Sequence, residues 1–225
     1  MKWNYDGLCL QNKRDTNMDG LLLSKKCICN RNLLLAVVCD GVGSMKDGAI
    51  AASTSIQILS HWFDALENEG QIGLQMRDTI SGINAHIVDK AKEIGWKTAT
   101  TISALLLTET MYHIVHAGDS RIYHYTDRVL HQLTQDDLSE SGKLTACIGH
   151  WSEPRLSYME GKLQEGSFLL CTDGLYRHIK QDILLSEIEI MHHRTLNKTL
   201  KKLSQRAISN GEQDNISLAL IKIDN

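Results

Sequence analysis

The segment LLLAVVCDGVGSMKDG, residues 33–48, joins an apolar run typical of a β-strand to a loop punctuated by glycine. The run ends at Asp40, which a glycine follows. The same plan recurs in SFLLCTDGLY, residues 167–176, where an apolar run ends at Asp173 and again a glycine follows. Glycines after a strand are typical of a nucleotide cradle, whereas a carboxylate at a strand end is typical of a metal ligand.

The spacing of the glycines argues against a nucleotide cradle. A dinucleotide fingerprint requires G-x-G-x-x-G, and Lys46 stands at the third glycine position. The acid expected about 20 residues later would fall inside a predicted helix near Asp64. No Gly-Lys-Ser/Thr follows, so a P-loop is excluded as well. We therefore expect the glycines to let the backbone turn sharply beside whatever Asp40 binds.

Length and composition limit the class of protein. The chain has 225 residues, 42% of them hydrophobic and 23% charged, which is typical of a globular domain. The net charge of −3 argues against a nucleic-acid partner. No apolar segment approaches the roughly 18 residues of a membrane span, and the N-terminus is too polar for a secretory signal. We expect one domain over residues 1–225, monomeric and cytoplasmic, without a membrane partner.

Hydrophobic periodicity predicts the secondary structure. Apolar side chains at steps of three and four predict helices over residues 48–66, 71–94 and 195–209. Apolar runs predict strands over residues 21–29, 33–39, 100–107, 111–117, 121–125, 129–133, 167–172 and 215–223. The four runs from 100 to 133 are separated by short turns and are predicted to form one antiparallel meander. This order favours antiparallel sheets covered by helices over an alternating βαβ sheet.

Aspartates stand at the ends of the most apolar strands. Asp40, Asp119 and Asp173 each follow such a run, and Asp214 directly precedes one. A lone aspartate in this position is usually a turn former or a helix cap. Carboxylates that gather at one rim repel one another and coexist when a cation lies between them. Oxygen ligands favour Mg²⁺ or Mn²⁺, so the residues alone predict a two-metal hydrolase acting on phosphate.

Eight segments, in order along nearly the whole chain, resemble the motifs of one family. They are RDTNMDGLLL (14–23), VVCDGVGSMKDG (37–48), TATTISALLL (98–107), HAGDSRIYHY (116–125), QLTQDD (132–137), CIG (147–149), LLCTDGLY (169–176) and DNISLALIKI (214–223). Together they resemble the PP2C-type (PPM family) metal-dependent serine/threonine protein phosphatases, in their compact bacterial form.

The resemblance implies a fold class and a domain organisation. The fold would be α+β, an α/β/β/α four-layer sandwich of two antiparallel sheets flanked by helices. Residues 134–165 would form a shortened flap beside the active site.

The resemblance also implies a metal centre with two or three Mg²⁺ or Mn²⁺ ions. Asp40 would bridge two of the ions, and the Gly41 carbonyl would bind one of them. Asp173 and Asp214 would complete the shell of the second ion. Asp119, together with Asp173, would hold the third and weaker ion.

The implied reaction is hydrolysis of phosphoserine and phosphothreonine by direct attack of a metal-bridging hydroxide. Asp19 would hold a metal-bound water through a hydrogen bond. Arg14 would grip the substrate phosphate, because a planar guanidinium matches phosphate oxygens. The substrates would be phosphorylated proteins of a cognate Ser/Thr kinase.

The chain departs from the family pattern in the residues that support the site. Met18 replaces an acid, Met45 a histidine, Ala49 an acid, Ala99 a glycine and Asp137 a histidine. The loss of outer-shell partners can weaken metal binding about 10- to 100-fold. The alternative interpretation is therefore a catalytically weak or inactive PP2C-like module that acts as a regulatory binding domain. The retained acids favour the enzyme.

Overall fold

The computed structural model describes residues 1–43, 45, 47–95 and 97–224. Ser44 and Lys46 of the glycine loop therefore lie outside the described residues, as do Trp96 and Asn225. The strands are β1 (Lys2–Leu10), β2 (Asp19–Ile28), β3 (Arg31–Asp40), β4 (Ile102–Leu107), β5 (Met111–Ala117), β6 (Arg121–Thr126), β7 (Val129–Gln132), β8 (Ser157–Lys162), β9 (Gly166–Cys171) and β10 (Ile216–Asp224). The helices are α1 (Gly48–Ala65), α2 (Ile72–Ile94), α3 (Asp173–Tyr176), α4 (Gln181–Glu189) and α5 (Leu196–Ser209).

The strands form two antiparallel sheets that stack face to face. One sheet has the order β2-β3-β4-β5-β8 and the other the order β1-β10-β9-β6-β7. One apolar core lies between the sheets, a second joins the β3 sheet to α1 and α2, and a third joins the β10 sheet to the C-terminal helices. The predicted α/β/β/α four-layer sandwich is confirmed.

Strand β3 contains the apolar run of residues 33–39, in which apolar and polar residues do not alternate. Leu33, Leu35 and Val37 pack in the core beneath α1 and α2. Leu34, Ala36 and Val38 pack in the core between the two sheets. Because successive side chains of a strand point to opposite faces, a strand covered on both faces must be apolar at every position.

The prediction of one meander over residues 100–133 is wrong. Strand β4 pairs with β5 and β6 pairs with β7, but β5 and β6 belong to different sheets. The chain crosses between the sheets at Gly118, whose φ of 118° lies in a region that only glycine occupies readily. The next residue, Asp119, therefore lies where the two sheets meet at one end of the sandwich.

Strands β1 and β8 and helices α3 and α4 are not predicted by the apolar pattern of the sequence. Strand β8 lies within residues 134–165, the predicted shortened flap, and β1 lies at the N-terminus. Both are edge strands with few buried side chains, so neither carries a strong apolar signal. Helices α3 and α4 are short. Within the part of the chain that the structure describes, no helix has the length and apolarity to cross a membrane.

Candidate active site

Aspartates from distant parts of the chain meet at one end of the sandwich. Asp19 opens β2 and is the cross-strand partner of Asp40, which closes β3. Asp173 opens α3 directly after β9, and Asp214 lies just before β10. A cavity of about 310 Å³ is lined by Asp40, Asp119, Asp173 and Asp214. Four of the predicted acids thus line one cavity, and the fifth, Asp19, lies beside Asp40 on the neighbouring strand without lining it.

The backbone of Asp40 is held in place by Thr101. The Asp40 amide donates to the Thr101 hydroxyl at 2.9 Å, and the Thr101 amide donates to the Asp40 carbonyl at 2.8 Å. The same Thr101 hydroxyl lies 2.8 Å from that of Ser120, the neighbour of Asp119. Strand β3 and the crossover between the sheets are therefore joined through one buried threonine, whose role the sequence did not predict.

Gly41 and Gly48 are glycines because two backbone segments approach closely. A Cβ on Gly41 would lie 2.5 Å from the carbonyl carbon of Gly48 and 2.8 Å from the carbonyl oxygen of Met18. The Gly41 amide also donates to that Met18 carbonyl at 3.1 Å. The start of α1 thus packs directly against the residue that follows Asp40. Gly41 lines the cavity, as expected for a residue whose carbonyl was predicted to bind a metal.

Burial and mutual repulsion raise the pKa values of most carboxylates of the site. Burial raises the pKa of Asp40 well above its ordinary value, and repulsion from Asp19 and Asp173 adds to this effect. Burial and the charge of Asp173 raise the pKa of Asp119 to about 6. Burial also raises the pKa of Asp173. A site that holds so much negative charge away from water favours a cation.

Two arginines bring positive charge to these acids. The Nε and Nη2 atoms of Arg14 donate to the two carboxylate oxygens of Asp214 at 2.8 and 2.6 Å. Burial alone would raise the pKa of Asp214, but the hydrogen bonds from Arg14 outweigh it and leave that pKa below its ordinary value. Arg177 pairs with Asp173 at 2.5 Å. Arg14, which was predicted to grip phosphate, therefore faces a predicted metal ligand, and Arg177 was not predicted at all.

Asn215 joins the segment that carries Arg14 to the loop that carries Asp214. Its side-chain carbonyl accepts a hydrogen bond from the Met18 amide at 2.9 Å. Its side-chain amide donates to the carbonyls of Gln11 and Thr16 at 2.8 and 3.1 Å. Gln11, Thr16 and Met18 all lie in the segment that carries Arg14. Asn215 therefore positions Arg14 beside Asp214. In the sequence, the only sign of this role is that Asn215 directly follows Asp214 in the last motif.

The Asp137 departure is accommodated by a hydrogen bond to the crossover. One oxygen of its carboxylate accepts from the Gly118 amide at 2.9 Å. The Asp137 amide in turn donates to the Gly118 carbonyl at 2.8 Å. The segment that carries Asp119 therefore remains anchored to the start of the predicted flap, although Asp137 stands where the family pattern has histidine.

The side chains of the site fit hard cations by their chemistry. The donors are carboxylate oxygens, which suit Mg²⁺ and Mn²⁺, and their repulsion is relieved when a cation binds. Among the described residues, no three His, Cys, Asp or Glu side chains already converge as a metal centre. Asp214 instead pairs with Arg14, and Asp173 pairs with Arg177.

The raised pKa of Asp19 can be tested through the pH dependence of the free energy of unfolding. Burial raises its pKa to about 7, whereas hydrogen bonds from Ser217 and Thr172 act in the opposite direction. The folded state therefore binds the proton more tightly than the unfolded chain. The ionised carboxylate costs stability above pH 7, and this cost shrinks as the pH falls toward the unfolded value near 4.

We expect Asp19→Asn to stabilise the metal-free protein by about 2 kcal/mol at pH 8, once solvent screening is allowed for. Asparagine can still accept the Thr172 hydroxyl, which lies 3.0 Å from the aspartate. Urea unfolding in excess chelator at pH 8 and pH 5 measures the difference from wild type, which should be smaller at pH 5. A difference that is equal at both pH values would contradict the assignment.

Comparison with known proteins identifies the family. The profile of the family described as protein phosphatase 2C matches residues 17–217. The serine/threonine phosphatase stp of Listeria monocytogenes serovar 1/2a is 29% identical, and the match covers 86% of each chain. The serine/threonine protein phosphatase PstP of Mycobacterium tuberculosis is 26% identical over 84% of this chain and 40% of its own length. The chain belongs to the protein phosphatase 2C family.

Solved structures show the same fold. The serine/threonine phosphatase Stp1 of Staphylococcus aureus superposes with a TM-score of 0.89 at 23% identity, covering 100% of this chain and 96% of that one. The Mycobacterium tuberculosis phosphatase PstP/Ppp superposes with a TM-score of 0.86 at 20% identity, covering 99% of both chains. The resemblance that the sequence motifs indicated is confirmed, and so is the prediction of a protein phosphatase.

Proposed function

We propose that this chain is a protein-serine/threonine phosphatase that depends on two Mg²⁺ or Mn²⁺ ions. The observation that carries the proposal is the convergence of Asp40, Asp173 and Asp214 on one cavity in a member of the protein phosphatase 2C family. The metal dependence belongs to the family. The oxygen-only donors support Mg²⁺ or Mn²⁺, and the motif positions of Asp40, Gly41, Asp173 and Asp214 support two ions.

Four residues would hold the ions. Asp40 would bridge both, the Gly41 carbonyl would bind one, and Asp173 and Asp214 would bind the other. The ions, when bound, lower the pKa of water and neutralise the phosphate charge. Asp19, beside Asp40 on the neighbouring strand, would accept a hydrogen bond from the attacking water.

Arg14 would change partners during the reaction. Its guanidinium donates to both carboxylate oxygens of Asp214, and the side chain is half exposed. If Asp214 held a cation instead, the Arg14 guanidinium would be free to bind the substrate phosphate. The planar guanidinium forms paired hydrogen bonds with carboxylate and with phosphate, so the exchange conserves its geometry.

The substrates would be proteins phosphorylated on serine or threonine, as the names of the relatives suggest. A cognate Ser/Thr kinase would supply them. The phosphatase would act as a monomer in the cytoplasm, without nucleic acid or membrane. Comparing the phosphoproteomes of a deletion strain and its parent would identify the kinase targets.

A metal titration tests the activity. The purified protein should hydrolyse an aryl phosphate and a phosphothreonine peptide with Mn²⁺, and lose at least about 100-fold of this activity in excess chelator. Mn²⁺ added back should restore it in wild type but not in Asp173→Asn. Asp127→Asn, a change in the β6–β7 turn, is the matched control. Full activity in chelator would overturn the proposal, and binding of phosphopeptide without turnover in any metal would favour the inactive module.

A further inference from the structure

Arg177 places a permanent positive charge between two buried carboxylates of the site. Its Nη2 atom lies 2.5 Å from Asp173 Oδ2 and 3.8 Å from Asp119 Oδ2. Asp119 and Asp173 are only 5% and 7% exposed. The Arg177 side chain also lines the cavity that holds both acids and Asp40. One guanidinium thus serves the two carboxylates that the motif positions assigned to a third ion.

The backbone holds Arg177 in this position. Its amide donates to the Asp173 carbonyl at 3.0 Å, which closes the single turn of α3. The hydroxyl of the preceding Tyr176 donates to the Asp119 carbonyl at 2.9 Å. Tyr176 and Arg177 therefore contact both the main-chain carbonyl and the carboxylate of Asp119.

We propose that Arg177 supplies the fixed positive charge at the Asp119–Asp173 pair and takes the place of a third metal ion. The inference rests on the proposed function, because it concerns the number of ions in the same centre. Arginine stays protonated at every accessible pH and is more weakly hydrated than an ammonium group. A divalent cation at the same two carboxylates would have to displace this charge or be repelled by it.

An ordinary surface ion pair would not have these features. Exposed pairs four residues apart on a helix contribute little and involve two solvated side chains. Here both acidic partners are buried, and the second of them comes from a crossover more than fifty positions away in the sequence. Arg177 is thus a positioning residue that orients Asp173 and Asp119 toward the cavity.

Counting bound Mn²⁺ tests the inference. Calorimetric titration and metal analysis after dialysis should give two ions in wild type and in Arg177→Lys. They should give a third, weaker ion in Arg177→Ala. The Mn²⁺ concentration for half-maximal activity should rise about 10-fold in Arg177→Ala only. Arg206→Ala, which removes an exposed arginine that pairs with Glu187 on α4, is the control and should match wild type.

The number of Mn²⁺ ions bound by wild type and by Arg177→Ala decides between the outcomes. Three ions in wild type, or two in Arg177→Ala, would overturn the role of Arg177 while leaving a working phosphatase. A wild-type protein without Mn²⁺-dependent turnover would overturn the proposed function, and the inference with it. Because Arg177 is half exposed, its replacement is not expected to prevent folding, and urea unfolding of the variant checks this.

Discussion

Asp40→Asn is expected to lower kcat/KM for a phosphopeptide at least about 100-fold in saturating Mn²⁺, a loss of about 3 kcal/mol in transition-state stabilisation. Asp40 is the predicted bridge between the two ions, and an amide binds hard cations far less well than a carboxylate. Since burial and the neighbouring carboxylates raise the pKa of Asp40 well above its ordinary value, the same change should not destabilise the metal-free protein. Steady-state kinetics and urea unfolding measure the two effects.

Asp224→Asn is the matched control for this prediction. Asp224 also lies at the end of a strand, but it closes β10 and pairs with Lys222. Its replacement should leave kcat/KM within about twofold of wild type. If Asp40→Asn remained folded and kept normal turnover in Mn²⁺, Asp40 would not be the bridging ligand.

Gly41→Ala is expected to destabilise the protein by about 3 kcal/mol and to reduce activity with it. The new methyl group would meet the carbonyl groups of Gly48 and Met18, the nearest at 2.5 Å. These are backbone atoms, so they cannot turn away as a flexible side chain could. Either α1 or the segment before β2 must shift, and both flank Asp40. Urea unfolding and a phosphatase assay on the folded fraction check the result.

Gly82→Ala provides a control of opposite sign. Gly82 lies in the middle of α2, and a Cβ there would meet nothing within 4 Å. Alanine should therefore stabilise the helix by about 0.5 to 1 kcal/mol. A Gly41→Ala variant as stable as wild type would show that the approach of Gly41 to Gly48 is not a requirement of the fold.

The sequence predicted the elements that bury the most apolar surface. The helices over residues 48–66 and 71–94 and the strands around Asp40 and Asp173 agree with the structure to within one or two residues. Their signals are local, because periodicity depends on neighbours within a few positions. The edge strands β1 and β8 lack this signal, since much of their surface faces solvent.

The order of the motifs along the chain predicted which acids share one site. Asp40, Asp119, Asp173 and Asp214 do line one cavity. The residues that hold them were not predicted. Thr101 and Asn215 act through backbone groups of other segments, and no spacing in the sequence reveals such bonds.

By itself, the sequence determined the family, the central strands and helices, and which acids stand at strand ends, because each of these depends on residue type and near neighbours. Only the tertiary structure decided that β5 and β6 lie in different sheets and that Arg14 and Arg177 pair with acids of the site. Arg14 and Asp214 are 200 positions apart, and they meet because Arg14 follows β1 and Asp214 precedes β10, two strands that pair in one sheet. Long-range contacts of this kind depend on the register of the whole sandwich, which no local pattern specifies.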